Sequence, residues 1–230
     1  MKRIGIIGGV GPQATAFLYQ KIVTSAQTNH GAVNNEDYPD MLIASVPVPD
    51  FISSKKHLEE ARQMLIEAAK GLERAGCKAM CIGSNTVHIL LQDLEKEVSI
   101  LFLSMVELVA ERCKLLGYSK VALLGTPVLL ASGIYESALE KRGIELIKPN
   151  AAQIETCDIV IRSVIAGIKE IPARKEYVEV LSSMFDQKAD AIILGCTELP
   201  LALDYEVLGK RVLSSEEILA EGITNYCYSP

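Results

Sequence analysis

One strand-to-helix corner occurs twice in this chain. AMCIGSNT, Ala79–Thr86, and AIILGCTE, Ala191–Glu198, each run from an unbroken apolar stretch into glycine, then one small polar residue, then Asn-Thr or Thr. The small residue is Ser84 in one copy and Cys196 in the other. Two further pairs keep the same order. KRIGIIGG is matched by SKVALLGT about 117 residues later, and SILFLSMVELVAE by KRVLSSEEILAEG roughly 110 residues later. Three matches in one order at similar offsets predict a duplicated unit.

The unit is α/β. Strand candidates fall at Arg3–Ile7, Met41–Ser45, Ala79–Gly83, Ser99–Leu103, Lys120–Gly125, Glu145–Ile147, Ala189–Gly195 and Val212–Ser214. Amphipathic stretches such as PQATAFLYQKIVTSAQ, KKHLEEARQMLIEAAKGLERAG and PVLLASGIYESALEKRG lie between them. Apolar strands alternating with helices imply parallel sheets covered on both faces. The expected fold is two pseudo-symmetric α/β lobes, parallel sheets flanked by helices, with the site in the cleft between them. The first lobe is expected at 1–101 plus 209–230 and the second at 102–208. The irregular piece Asn29–Asp40 is the longest loop candidate and reads as a surface excursion.

The chain has 230 residues and a net charge of −6 with no dense Lys/Arg cluster, which argues against nucleic acid as a partner. No apolar run approaches a membrane span, and no membrane partner is expected. The opening MKRIGIIGG enters a strand pattern directly, so a mature cytoplasmic start is expected. The six cysteines, Cys77, Cys81, Cys113, Cys157, Cys196 and Cys227, are then reduced. Cys77 and Cys81 stand C-x₃-C with His88 nearby, but the chain has no second ligand pair, so no metal is expected. GVGPQA, Gly9–Ala14, formally fits a dinucleotide fingerprint, yet no acidic residue ends the second strand at the required distance. No lysine stands out as a Schiff-base candidate, and no cofactor is expected.

Chemistry concentrates at the carboxyl ends of the strands. A thiol placed after a strand and before a helix start meets backbone N–H groups. Such a setting lowers a cysteine pKa from about 8.5 to roughly 3.5–7.5. Cys196 is expected to gain in this way, with Thr197 and Glu198 orienting or titrating it. Ser84, Asn85 and Thr86 read as helix caps whose N–H groups face an anionic substrate. Two proton-transfer groups on opposite faces of one carbon are what stereoinversion needs. A Ser84/His88 hydrolase is a rival, but the nucleophile elbow G-x-S-x-G is absent. His88 reads as a helix-surface or supporting histidine.

These residues resemble the aspartate/glutamate racemase family. GGVGPQAT, Gly8–Thr15, is similar to the family's opening Gly-Gly-Met-Gly-Pro-x-Ala-Thr. SNTVH, Ser84–His88, is similar to its Cys-Asn-Thr-Ala-His, and GCTEL, Gly195–Leu199, to its second motif. The resemblance covers essentially the whole chain. It implies a cofactor-independent racemase, a homodimer, and a small amino or carboxylic acid as substrate. It implies Cys196 and Ser84 at the catalytic positions, with Gly9, Val10, Gly11, Phe51, Asn85, Thr86, Thr126, Thr197 and Glu198 around the substrate. Four positions depart from the family. Ser84 replaces the first catalytic cysteine. Phe51 and Ile165 stand where aspartate racemases carry an arginine and a lysine, and Ser214 stands near a late aspartate. Four departures together point to divergence rather than to one engineered Cys→Ser change. They predict poor use of L-aspartate. They also leave open a single-cysteine decarboxylase or isomerase, and a protein that binds a carboxylate without turning it over.

Overall fold

The computed structural model describes residues 1–49, 56–203 and 211–230. The strands are β1 (Ile4–Gly8), β2 (Met41–Ser45), β3 (Ala79–Ile82), β4 (Leu101–Leu103), β5 (Lys120–Leu124), β6 (Glu145–Ile147), β7 (Ala191–Leu194) and β8 (Val212–Ser214). The helices are α1 (Pro12–His30), α2 (Leu58–Arg74), α3 (Leu91–Glu97), α4 (Met105–Leu115), α5 (Pro127–Ser132), α6 (Ile134–Glu140), α7 (Ala151–Ile165), α8 (Arg174–Asp186) and α9 (Ser215–Tyr228). All eight strand candidates are strands.

Every strand pair is parallel, in two sheets ordered β2-β1-β3-β4 and β6-β5-β7-β8. The second order is the first shifted by four strands, which is the repeat made visible. Alternation along each strand feeds two faces. In the first sheet Ile4, Ile6 and Cys81 pack with Leu18 of α1 and Leu219 of α9, whereas Ile7, Met80 and Ile82 pack with Leu65 and Ala69 of α2. In the second, Ala122, Ile192 and Leu194 meet α7 and α8, while Val121, Leu123 and Ile193 meet α4 and α6. β1, β3 and β7 are wholly buried, as covered parallel strands must be.

Hydrogen-bond pairing divides the chain a few residues from the expected 101/102 and 208/209. β4 joins β3 in the first sheet, and β8 joins β7 in the second. Among the described residues the chain returns to the first lobe with α9, which packs on α1 and α4. A second difference lies in PVLLASGIYESALEKRG, which is two helices rather than one. Gly133 takes φ +75° between α5 and α6, and Ser132 turns its hydroxyl onto the Leu129 carbonyl, ending the first. Within Asn29–Asp40, α1 ends at His30 and Asn35–Asp37 forms a 3₁₀ turn with a capping box from Asn34.

α9 docks on the first sheet through fully buried Leu219. Leu219→Ala is expected to lower unfolding free energy by about 2–5 kcal/mol in denaturant titration. An unchanged midpoint would show that α9 is not part of that core.

Candidate functional site

The loops after β1, β3, β5 and β7 meet over one small cavity. It is lined by Val10, Gly11, Ser84, Asn85, Thr86, Thr126, Gly195, Cys196, Thr197 and Glu198. Its volume is about 20 Å³, room for roughly one water molecule. Ser84 and Cys196, one from each sheet, are 7% and 6% exposed, so both strand-end groups are screened from bulk solvent.

Glu198 organises the second corner. The Cys196 thiol donates to Glu198 Oε2 at 3.0 Å, and the Thr197 hydroxyl donates to the same oxygen at 3.0 Å. The other oxygen, Oε1, lies against Gly11 of the first lobe; a Cβ on Gly11 would stand 2.9 Å from it. The expected lowering of the Cys196 pKa does not occur. Burial pushes the thiol well above its ordinary value, and the neighbouring Glu198 carboxylate pushes it further. The physical reason is local. The Cys196 corner leads only into a four-residue 3₁₀ turn, Leu199–Ala202, too short to supply a helix-end field that offsets desolvation. Burial also raises Glu198. The resting proton is on sulfur, with Glu198 as its acceptor.

The first corner is built differently. Asn85 precedes a 3₁₀ turn, Thr86–Leu90, and makes no side-chain cap, so the expected capping role fails. Its amide crosses to the other lobe instead, accepting from Tyr135 Oη at 2.6 Å and donating to Ser215 Oγ at 2.8 Å. Thr86 and Thr126 share a hydrogen bond of 2.9 Å between their hydroxyls, and Thr126 also accepts from the Leu129 N–H. His88 is not on the helix surface but buried. Its Nε2 accepts from the Met105 N–H at 3.0 Å, so Nδ1 carries the proton and donates to the Ser84 carbonyl oxygen at 2.8 Å. Burial pushes its pKa down to about 4. Both ring nitrogens are used, and neither is turned to the Ser84 hydroxyl.

Of the other expected residues, Gly9 lies outside the cavity lining. Its φ is +87°, its N–H goes to Thr15 Oγ1, and a Cβ there would stand 2.5 Å from the Val46 nitrogen. It shapes the turn rather than the cavity wall. Phe51 is outside the described residues. Ile165, the last residue of α7, is 40% exposed and not in the lining. Ser214 caps α9 by accepting from the Glu217 N–H. Among the described residues no cluster of His, Cys, Asp or Glu is arranged to hold a metal, and no helix is long and apolar enough to cross a membrane.

One residue escaped the sequence reading. Glu216 is fully buried, and neither carboxyl oxygen has a hydrogen-bond partner among the described residues. Burial pushes its pKa well up, and the Glu198 charge adds to that. SSEEIL reads as a solvent-facing first turn. The signal lay in the repeat: aligning β4 with β8 sets Glu216 opposite Met105, which is fully buried.

The chain is therefore a two-lobed α/β protein of the racemase class. It belongs to the Asp/Glu/Hydantoin racemase family, whose model matches residues 7–222. It is 30% identical over 224 residues, 95% of each chain, to the broad specificity amino-acid racemase RacX of Bacillus subtilis. Among solved structures it is similar to an aspartate racemase homologue from Pyrococcus horikoshii, with TM-score 0.80 and 31% identity over 100% of both chains. It is also similar to the Picrophilus torridus aspartate racemase, with TM-score 0.80 and 26% identity over 99% of this chain and 94% of that one.

Two substitutions probe this geometry. Gly11→Ala drives a methyl into Glu198 Oε1 and is expected to weaken ligand binding at least about tenfold, the loss that displacing one seated polar group brings. Unaltered binding by calorimetry would show that Glu198 has room to move. Glu216→Gln addresses the buried acid. A carboxyl with a raised folded pKa binds a proton that the unfolded chain releases, so its contribution to stability falls as pH rises above the ordinary glutamate value. The Tm of Glu216→Gln relative to the parent is therefore expected to climb between about pH 5 and pH 8. A pH-independent difference would mean that Glu216 is ionised in the fold.

Proposed function

We propose that this chain is a cofactor-independent amino-acid racemase of broad side-chain preference, with Cys196 and Ser84 at the two proton-transfer positions. The observation that carries this reading is the single cavity whose lining contains both strand-end residues, one from each lobe. In the reading, the Cys196 proton passes to Glu198, along the 3.0 Å hydrogen bond already present. The thiolate then removes the substrate's Cα proton. Returning a proton from the same sulfur restores the starting enantiomer, with a solvent proton exchanged in. Inversion requires delivery to the opposite face from the Ser84 side. A serine hydroxyl is a far weaker acid than a thiol, and His88 is committed to the Ser84 backbone and to Met105. Exchange therefore outruns inversion.

The cavity also bears on substrate choice. Among the described residues its lining has no Lys or Arg, and its one ionisable carboxyl is Glu198. Among the described residues a second substrate carboxylate finds no cationic partner there, and neutral hydroxyl and amide groups do not replace a bidentate ion pair. L-aspartate is then a poor substrate, and monocarboxylic amino acids are better ones. The relative named for broad amino-acid specificity agrees with this choice. A second reading, a one-thiol decarboxylase, draws on the same cavity, because it is lined by one thiol and a decarboxylation needs only one proton donor.

The test is incubation in heavy water with a panel of amino and arylmalonic acids, followed by NMR and chiral chromatography. Deuterium uptake faster than inversion is expected. Ser84→Cys should raise inversion by about a hundredfold, the lower range of general acid–base catalysis, and Cys196→Ser should abolish both activities. Release of carbon dioxide would favour the decarboxylase. Fast inversion by the unaltered chain would show that Ser84 is a competent acid. Binding without turnover would reduce the chain to a carboxylate-binding protein.

A further inference from the structure

We propose that Tyr135 is a positioning residue, whose hydroxyl, acting through Asn85 and Ser215, holds the Ser84 corner in register with the strand that carries Cys196. Tyr135 stands on α6 of the second lobe and is 1% exposed. Its hydroxyl reaches Asn85 Oδ1 at 2.6 Å. Asn85 Nδ2 donates to Ser215 Oγ at 2.8 Å, and Ser215 Oγ donates to the Leu194 carbonyl oxygen at 2.9 Å. Leu194 ends β7, two residues before Cys196.

The polarity of this relay is fixed by counting protons. Ser215 has one hydroxyl proton, and it goes to Leu194. Its oxygen must then accept from the Asn85 amide NH₂, which turns the Asn85 carbonyl to Tyr135. Tyr135 must therefore donate, and burial holds its phenol protonated. Asn85 is 2% exposed, so its carbonyl is cut off from bulk solvent if the donor is lost. Asn85 is the residue after Ser84, and the next residue, Thr86, is bonded across the lobes to Thr126. Ser84 is thus held through its two successors by three cross-lobe bonds; only Asn85 to Ser215 leads on to the Cys196 strand, and Tyr135 fixes the amide that makes it. A corner freed by a fraction of an ångström loses aim at a reacting carbon while the Cys196 side stays intact. The effect on turnover rests on the racemase reading above; the effect on the corner itself does not.

The experiment compares Tyr135→Phe with Tyr177→Phe. Tyr177 is an equally buried tyrosine whose hydroxyl has no partner among the described residues. Amide hydrogen exchange over residues 84–90 is expected to quicken about tenfold in Tyr135→Phe, with α2 and α8 still protected, the size expected from one lost buried hydrogen bond. Tyr177→Phe should change neither. Racemisation kcat should fall about tenfold with KM within about twofold, and the ratio of deuterium uptake to inversion should rise. If Tyr135→Phe does not fold, Ser215→Ala breaks the relay at its other end and should give the same local signature. Unchanged protection over 84–90, or protection lost evenly across the molecule, would overturn the proposal. A parent chain that turns over nothing in the panel sinks the racemase reading instead, and hydrogen exchange still decides the role of Tyr135.

Discussion

One buried carboxylate sets the terms for the rest of the site. Glu198 accepts from Cys196 and Thr197 on one oxygen and rests its other oxygen against Gly11 of the opposite lobe. A carboxyl removed from water needs donors, and two of them are the adjacent side chains in the sequence. The corner after β7 is therefore wound around Glu198, and the corner after β1 has a glycine where the carboxyl arrives. A side chain at the Gly11 position would meet that carboxyl at 2.9 Å.

That arrangement changes what kind of nucleophile or base Cys196 can be. Desolvation and the nearby carboxylate both favour the neutral thiol, so the sulfur is not a standing thiolate. It is a protonated thiol with an acceptor already in hydrogen-bond contact. Glu216, buried nearby with no hydrogen-bond partner among the described residues, adds to the cost of negative charge on the sulfur. The resting corner holds a neutral thiol rather than an anion. The cavity of about 20 Å³ is also far smaller than an amino acid, so the proposed reaction calls for the strand-end loops to part.

The two corners have diverged in support as well as in their central residue. The second is held by its own carboxylate. The first is held from across the lobe boundary, by Tyr135, Ser215 and Thr126, while His88 fastens the Ser84 carbonyl to the start of α4. A duplicated backbone thus carries two unlike side-chain networks, and their unequal chemistry stems from the networks as much as from sulfur against oxygen.

Much of this was legible in the chain itself. Short-range pattern marks the eight strands, and the unbroken apolar runs bounded by glycine and polar corners are the wholly buried β1, β3 and β7. The repeat dictates that Ser84 and Cys196 take equivalent places, since topology copies with sequence. The break at Gly133, the seating of β8 on the second sheet and the outward role of Gly9 depended on pairing and φ values that local pattern does not express. The sign of the Cys196 pKa shift, the commitment of both His88 nitrogens and the burial of Glu216 were decided by tertiary structure alone. Each depends on how much water packing removes and on which groups packing sets beside the side chain. Sequence specifies which groups sit at the strand ends; only packing sets the dielectric and the hydrogen bonds that determine where their protons reside.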